Sequence, residues 1–207
     1  MTETGIYGGS FNPIHNGHIR LSETLCRQGI VNEMWLLVSP MNPLKQQSDD
    51  LLDDRTRLEL ARLAVKDKPK LTICDAEFRL PRPSYTVHTL EYLRNAHPDR
   101  CFSLVIGADN WLAFDRWYQG KEIVRHHRLV IYPRPGYPLR AEELPPYARL
   151  ADTPLIDISS TGIREKIRKG EDVSSDLPPA VWKEIKEKGY YQQQAIPDMV
   201  RYMKKEI

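Results

Sequence analysis

Short apolar runs alternate with longer amphipathic stretches along most of this chain, and that alternation limits its fold more than any other feature. Residues 5–7, 34–38, 71–74, 102–106 and 129–132 have the length and composition of strands, mostly buried ones. Between them, residues 18–28 carry Ile19, Leu21 and Leu25 near one face and stop at Gly29, a natural residue to end a helix. Residues 54–66 carry Leu58, Leu60, Ala61, Leu63 and Ala64 behind an acidic N-cap candidate. Residues 86–95 follow Ser84 with Val87, Leu90 and Leu93 at helical spacing. Strand–helix–strand alternation with short connections predicts an α/β fold, a doubly wound and mostly parallel sheet covered by helices on both faces. Such sheets bind ligands at the carboxyl ends of their strands. Near the C-terminus, residues 155–158 read as a final strand and 161–169 as a helix closed by Gly170. Residues 178–188 and 198–205 then read as two amphipathic helices with no strand between them. The linker at 171–177 is short, so residues from about 160 to 207 are expected to form a helical cap on one domain spanning 1–207.

Composition narrows the class. A length of 207 residues suits one large domain. Thirty Lys and Arg against 28 Asp and Glu leave a net charge of +2, which argues against a dedicated nucleic-acid binder. No apolar run approaches the roughly 20 residues of a membrane helix, and the opening MTETGIYGGS lacks an export signal. The three cysteines, Cys26, Cys74 and Cys101, are far apart and fit neither a disulfide framework nor a zinc site. They read as packing residues of a cytoplasmic protein with no membrane or nucleic-acid partner, and assembly into a homo-oligomer stays open. Two proline-rich loops, at 40–50 and 133–146, are candidates for substrate handling.

The stretch GIYGGSFNPIHNGH, residues 5–18, carries the most chemistry. A strand ends in Gly8 and Gly9, where a ligand can approach the backbone without meeting a Cβ. Ser10 supplies a hydroxyl, Pro13 breaks any helix, and a new helix opens near Asn16 or Gly17. A helix N-terminus offers unpaired N–H groups and positive dipole, a ready phosphate site. His15 and His18 bracket it at a spacing that lets both point toward whatever the glycines approach. The pair could also be zinc ligands, but no third ligand with a matching motif is near. Neither G-x-x-x-x-G-K-[ST] nor G-x-G-x-x-G is present. Near the other end, ISSTGIR (residues 158–164) repeats the device, with Ser159, Ser160 and Thr161 at a helix start and Arg164 one turn on.

These two stretches, an H-x-G-H motif in a G-G-S-F-x-P-x-H-x-G-H frame and an I-S-S-T-x-I-R motif, resemble the signatures of the nucleotidylyltransferase superfamily. Further matches resemble its bacterial-type nicotinate (or nicotinamide) mononucleotide adenylyltransferases. They are SPMNPLK ending at Lys45, RLPRPSYT ending at Thr86 with Thr89 and Leu90 beyond, IGADN with Asp109 ahead of Trp117 and Tyr118, and RPGY from Arg134. They run in order over residues 5 to about 190. Two positions depart: Asn12 stands where the family usually has Asp, with the turn-forming hydrogen bond kept and the charge lost, and His88 where it usually has Asp. No role is carried over to His88.

The resemblance implies a Rossmann-like fold and transfer of the adenylyl group of ATP to nicotinate mononucleotide. The products would be nicotinate adenine dinucleotide and pyrophosphate, within NAD biosynthesis. It implies catalytic roles for His15, His18 and Arg164, which would hold the ATP phosphates. Gly8, Gly9, Ser10, Phe11, Asp109, Ser159, Ser160 and Thr161 would bind ATP, with Asp109 on ribose hydroxyls. Lys45, Tyr85, Thr86, Trp117 and Arg134 would bind the mononucleotide. Mg²⁺ would arrive with ATP, because no clustered carboxylates suggest a protein-made metal site. From the residues alone, Asp109 reads equally as the N-cap of a helix starting at Asn110, and Trp117 as a core residue. Three other readings compete. Transfer to phosphopantetheine or glycerol phosphate is opposed by the SYT, Trp117 and RPGY matches. A non-catalytic nucleotide sensor is opposed by retention of both histidines and Arg164. A tRNA-charging protein is opposed by the length and the balanced charge.

Overall fold

The structure, a computed structural model, describes residues 1–40 and 51–192. Six strands build one sheet: β1 Thr2–Gly9, β2 Glu33–Val38, β3 Leu71–Cys74, β4 Arg100–Gly107, β5 Arg128–Tyr132 and β6 Ala148–Leu150. Their order is β3-β2-β1-β4-β5-β6, and every neighbouring pair is parallel. A parallel sheet buried on both faces needs strands that are apolar on both sides, which is why β2 and β4 read as continuous apolar runs.

The two-residue period of the strands sorts their side chains into two cores. Tyr7, Leu36, Val38, Val105, Val130 and Tyr132 point to one face. There they meet α1 (Asn16–Arg27), α2 (Asp54–Val65), α6 (Ser160–Arg168) and α7 (Pro179–Lys188). Ile6, Leu37, Leu104, Ile106, Leu129 and Ile131 point to the other, beneath α3 (Thr86–Ala96) and α5 (Gly120–His126). Ile6, Leu36, Leu129 and Ile131 are wholly buried, each contributing about 1.5–3 kcal/mol of transfer free energy. The C-terminal helical cap therefore packs on one face of the sheet, with Ile163, Ile167, Val181 and Ile185 as its inward residues.

The expected strand at 155–158 does not form. The edge strand beyond β5 is β6, paired from Leu129↔Ala148 to Ile131↔Leu150. Residues 155–158 instead run as irregular chain, with Ile156 and Ile158 packed against the core. Ile156 lies so close to Gly17 that a Cβ there would sit 2.5 Å from its Cγ2. That apolar run packs a loop over the start of α1, while the true strand is too short and too polar to announce itself. The five-residue α4 (Ala108–Leu112) and the seven-residue α5 are too short to show a helical period in the sequence. The helix expected at 198–205 lies outside the described residues. Of the cysteines, Cys26 and Cys74 are packed as expected, but Cys101, near the start of β4, is exposed.

After β1 the chain winds outward through β2 and β3, then returns to place β4 on the other side of β1. Loops leaving β1 and β4 diverge at that switch point and open a crevice beyond their carboxyl ends.

Candidate active site

A cleft of about 820 Å³ occupies the crevice, a size suited to a small-molecule ligand. It is lined by the end of β1 (Gly8, Gly9, Ser10, Phe11), the start of α1 (His15, His18) and the start of α3 (Tyr85, Thr86). The end of β4 and the chain beyond it add Asp109 and Trp117, the loop after β5 adds Arg134, and the start of α6 adds Ser159, Ser160, Thr161 and Arg164. Every residue expected from the sequence thus meets in one place except Lys45, which lies outside the described residues.

The H-x-G-H turn is set by contacts that only its own residues allow. His15 is the N-cap of α1 in extended backbone, and its ring stacks on that of His18 with centroids 3.6 Å apart. The His15 N–H donates to His18 Nδ1 at 3.2 Å, so the neutral His18 carries its proton on Nε2. A Cβ on Gly17 would come within 2.9 Å of His15 Nδ1 as well as striking Ile156. Glycine is required there by packing. Burial, reinforced by the Arg134 cation, pulls the His15 pKa down to about 3, so its ring is neutral at pH 7. The helix start is less open than expected: the Asn16 N–H is taken by Asp176 O at 2.8 Å and its side chain by Ser175 O. What α1 offers the cleft is its dipole and two imidazoles more than a row of free N–H groups.

The second helix start is tied to the first. Ser159 caps α6 by accepting the Gly162 N–H. Ser160 Oγ donates to Pro13 O at 2.9 Å, and Arg164 Nη1 donates to Asn12 O at 2.9 Å. The two motifs are 147 to 152 residues apart in sequence and share hydrogen bonds. Asn12 Oδ1 accepts from Tyr191 and from the Leu52 N–H, partners 179 and 40 positions away. Asn12, standing where the family usually has Asp, thus keeps an acceptor, and it is used between segments.

Asp109 proves to be the second residue of α4, not the N-cap of a helix starting at Asn110; Gly107 is the N-cap. Asp109 and Arg134 close in on Gly107, where a Cβ would meet Asp109 Oδ1 at 2.3 Å and Arg134 Cγ at 3.1 Å. Arg134 Nε approaches Asp109 Oδ1 to 3.7 Å, held by the RPGY turn in which Gly136 takes a φ of +80° and Arg134 bridges Tyr137. Trp117 leans on Phe114 with ring centroids 5.3 Å apart and is half-buried, and Tyr85 packs on Tyr118 at 4.5 Å. Tyr85 is the N-cap of α3 with no side-chain cap, leaving first-turn N–H groups of that helix toward the cleft.

Buried polar atoms normally find a partner. Among the described residues, six buried side-chain polar atoms lack a hydrogen bond; Arg100 Nε and Thr153 Oγ1 lie elsewhere, but His15 Nδ1, Asp109 Oδ1, Trp117 Nε1 and Arg164 Nε belong to residues that line this cleft. Their convergence fits a polar ligand that completes them. No group of three or more His, Cys, Asp or Glu among the described residues is placed to hold a metal ion.

Sequence reasoning missed two groups. Glu77, buried beneath the start of α3, accepts hydrogen bonds from Ser39, Ser84 and Thr89, and burial pushes its carboxyl pKa up. Nothing in its local sequence marks it. The second is Arg57, wholly buried in α2. It did leave a signal, since it stands at i of the i, i+3, i+4, i+7 set completed by Leu60, Ala61 and Ala64, a cation on an otherwise apolar stripe.

The chain is similar to known proteins in sequence and in fold. Residues 6–166 match the family described as cytidylyltransferase-like. A Bacteroides fragilis protein named "Probable nicotinate-nucleotide adenylyltransferase" is 48% identical over 184 residues, 89% of this chain and 91% of its own. A Bacteroides thetaiotaomicron protein of the same name is 47% identical, covering 95% of each chain. Among solved structures, the Plasmodium falciparum nicotinic acid mononucleotide adenylyltransferase complexed with NaAD superposes with a TM-score of 0.77. It is 20% identical and covers 92% of this chain and 98% of its own, a likeness of fold. By sequence and by fold, the chain belongs to the cytidylyltransferase-like family and, within it, to the nicotinate-nucleotide adenylyltransferases.

Proposed function

We propose that this enzyme transfers the adenylyl group of ATP to nicotinate mononucleotide, forming nicotinate adenine dinucleotide and pyrophosphate in NAD biosynthesis. The observation that carries the reading is the junction of two helix starts, one bearing His15 and His18 and the other Ser159–Thr161 and Arg164, at the switch-point cleft of a doubly wound sheet. In the reaction, a phosphate oxygen of the mononucleotide attacks the α-phosphorus of ATP, and the bond from that phosphorus to the β-phosphate bridging oxygen breaks. The attacking phosphate is already anionic at neutral pH, so the site needs no general base. It needs orientation and stabilisation of negative charge.

His18 Nε2–H and the neutral His15 ring donate to ATP phosphates in this reading, and Arg164 balances the charge of the departing pyrophosphate. The main-chain N–H groups near Ser10, Phe11, Ser160 and Thr161 add donors, with Gly8 and Gly9 leaving room for the nucleotide. Asp109 Oδ1 accepts from ribose. Trp117 and Tyr85 flank the pyridine and Arg134 meets the mononucleotide, a role the resemblance also implies for Lys45, which lies outside the described residues. Mg²⁺ bound to ATP supplies further charge neutralisation. No described helix is long and apolar enough to cross a membrane; in this reading the enzyme acts on small molecules in the cytoplasm.

The N-terminus of α3, with Tyr85 and Thr86 at its start, favours a negatively charged substituent on the pyridine. With ATP and Mg²⁺, kcat/KM for nicotinate mononucleotide should exceed that for the amide by about tenfold, the scale of a charge at a partly buried helix start. Pyrophosphate release measured with each acceptor checks this. Preference for the amide would overturn the carboxylate site, and dinucleotide from neither would overturn the proposed function.

A further inference from the structure

Arg57 does not itself line the cleft, yet its guanidinium reaches residues that do. The side chain is wholly buried. Nη1 donates to Ser10 O at 2.5 Å and Ser39 O at 2.8 Å, Nε to Leu52 O at 2.9 Å, and Nη2 to Asp54 Oδ1 at 2.6 Å and Pro40 O at 3.4 Å. Five contacts match the five N–H donors of a guanidinium, and four of them end on main-chain carbonyls. Carboxylate pairing alone would not need this geometry; one contact to Asp54 would serve it.

The bond to Ser10 has a directional consequence. A trans peptide holds its C=O and the following N–H on opposite sides, so fixing the Ser10 carbonyl on the buried Arg57 side turns the Phe11 N–H the other way, where Ser10 and Phe11 line the cleft. Phe11 sits at φ +46°, a left-handed conformation that a non-glycine residue keeps only when its surroundings impose it. Gly9 makes room for the same turn, since a Cβ there would meet the Phe11 ring at 3.2 Å. A buried cation on the carbonyl also strengthens the peptide dipole, making its N–H a better donor to an anion. The need for that donor is real, because the first N–H of α1 is already spent on Asp176.

We infer that Arg57 is a positioning residue for ATP. By gripping the Ser10 carbonyl from beneath, it aims the Ser10–Phe11 peptide at the nucleotide phosphates and brings a positive charge to bear through one peptide group. This rests on the proposed adenylyl transfer for its kinetic readout, though not for its binding readout.

The experiment compares wild type with Arg57→Met, similar in length but without charge or donors, and Arg57→Lys, which keeps the charge and loses the fork. Pyrophosphate release is followed with ATP and nicotinate mononucleotide varied in turn, and binding of a non-hydrolysable ATP analogue is measured by calorimetry. In folded Arg57→Met, KM for ATP and the analogue Kd should rise about tenfold, the scale of one lost charge-assisted hydrogen bond, with a smaller rise in KM for the mononucleotide. Arg57→Lys should fall between. A lower Tm with the analogue Kd and KM for ATP within twofold of wild type would overturn the inference, as would equal rises for both substrates. Should Arg57→Met fail to fold, Arg57→Lys decides, a rise of about threefold in analogue Kd supporting it and an unchanged Kd overturning it. Wild type that binds the analogue but makes no dinucleotide would refute the adenylyl-transfer reading, and the analogue Kd values would still decide the role of Arg57.

Discussion

His15 and His18 illustrate how much one short motif settles at the level of the residue. Their spacing alone suggested a shared direction, and the structure stacks their rings and links the backbone of one to the ring of the other. What spacing could not show is the charge state of His15, which depends on a burial created by residues distant in the chain and on Arg134. Gly17 is likewise readable as a motif glycine, but its reason, the approach of Ile156, comes from tertiary packing. Arg57 was legible as an anomaly on the apolar stripe of α2, without the identity of its acceptors. Replacing His18 with Ala should lower kcat by about 100-fold or more, the range for removing one donor to a developing negative charge, while circular dichroism stays that of wild type. An unchanged rate would remove His18 from the chemistry.

Among the elements, the long periodic ones were readable and the short ones were not. α1, α2 and α3 begin and end within two residues of the ranges their apolar spacing predicts. β6 is three residues long and carries Arg149, so no two-residue period could be read from it, whereas the 155–158 run has strand-like composition and a packing role. Helices α6 and α7 of the C-terminal cap were legible, but their link to the H-x-G-H turn was not. Tyr191, just past α7, donates a buried 2.8 Å hydrogen bond to Asn12 Oδ1, and Asn12 O in turn accepts from Arg164. Tyr191→Phe removes that one donor. It should cost about 1 kcal/mol in urea unfolding, the usual net worth of such a bond, with pyrophosphate release reduced less than tenfold. A wild-type unfolding midpoint would show that the cap does not hold the turn through this contact.

For the molecule as a whole, a doubly wound and mostly parallel sheet followed from alternation, and a ligand site at the carboxyl ends of its strands followed from that class, whereas the strand order β3-β2-β1-β4-β5-β6 came only with the structure. The net charge of +2 said little about anionic substrates because, in the proposed reading, the groups that meet them are local: two helix starts, Arg164 and Arg134. Buried histidines also shape global stability. His15 has a folded pKa of about 3 against an unfolded value near 6.5, and burial lowers that of His127 too. The unfolded chain therefore binds more protons at these sites. Their neutral burial is fully tolerated above pH 6.5, and stability is lost as pH falls from there toward 3. Glu77, with its pKa raised by burial, acts in the opposite sense. Tm should fall between pH 7 and pH 5, and His15→Gln should flatten that slope. Equal slopes in the two proteins would show that His15 is not buried as a neutral ring.

The central claim is attack at the α-phosphorus of ATP by the mononucleotide's phosphate, held between the two helix starts. The direct measurement is the fate of label from ATP radioactive at the α- or the γ-phosphate, incubated with the enzyme, Mg²⁺ and nicotinate mononucleotide. The account predicts that α-label appears in the dinucleotide and γ-label only in pyrophosphate. Transfer of γ-label to the mononucleotide, or α-label remaining wholly in ATP, would contradict it.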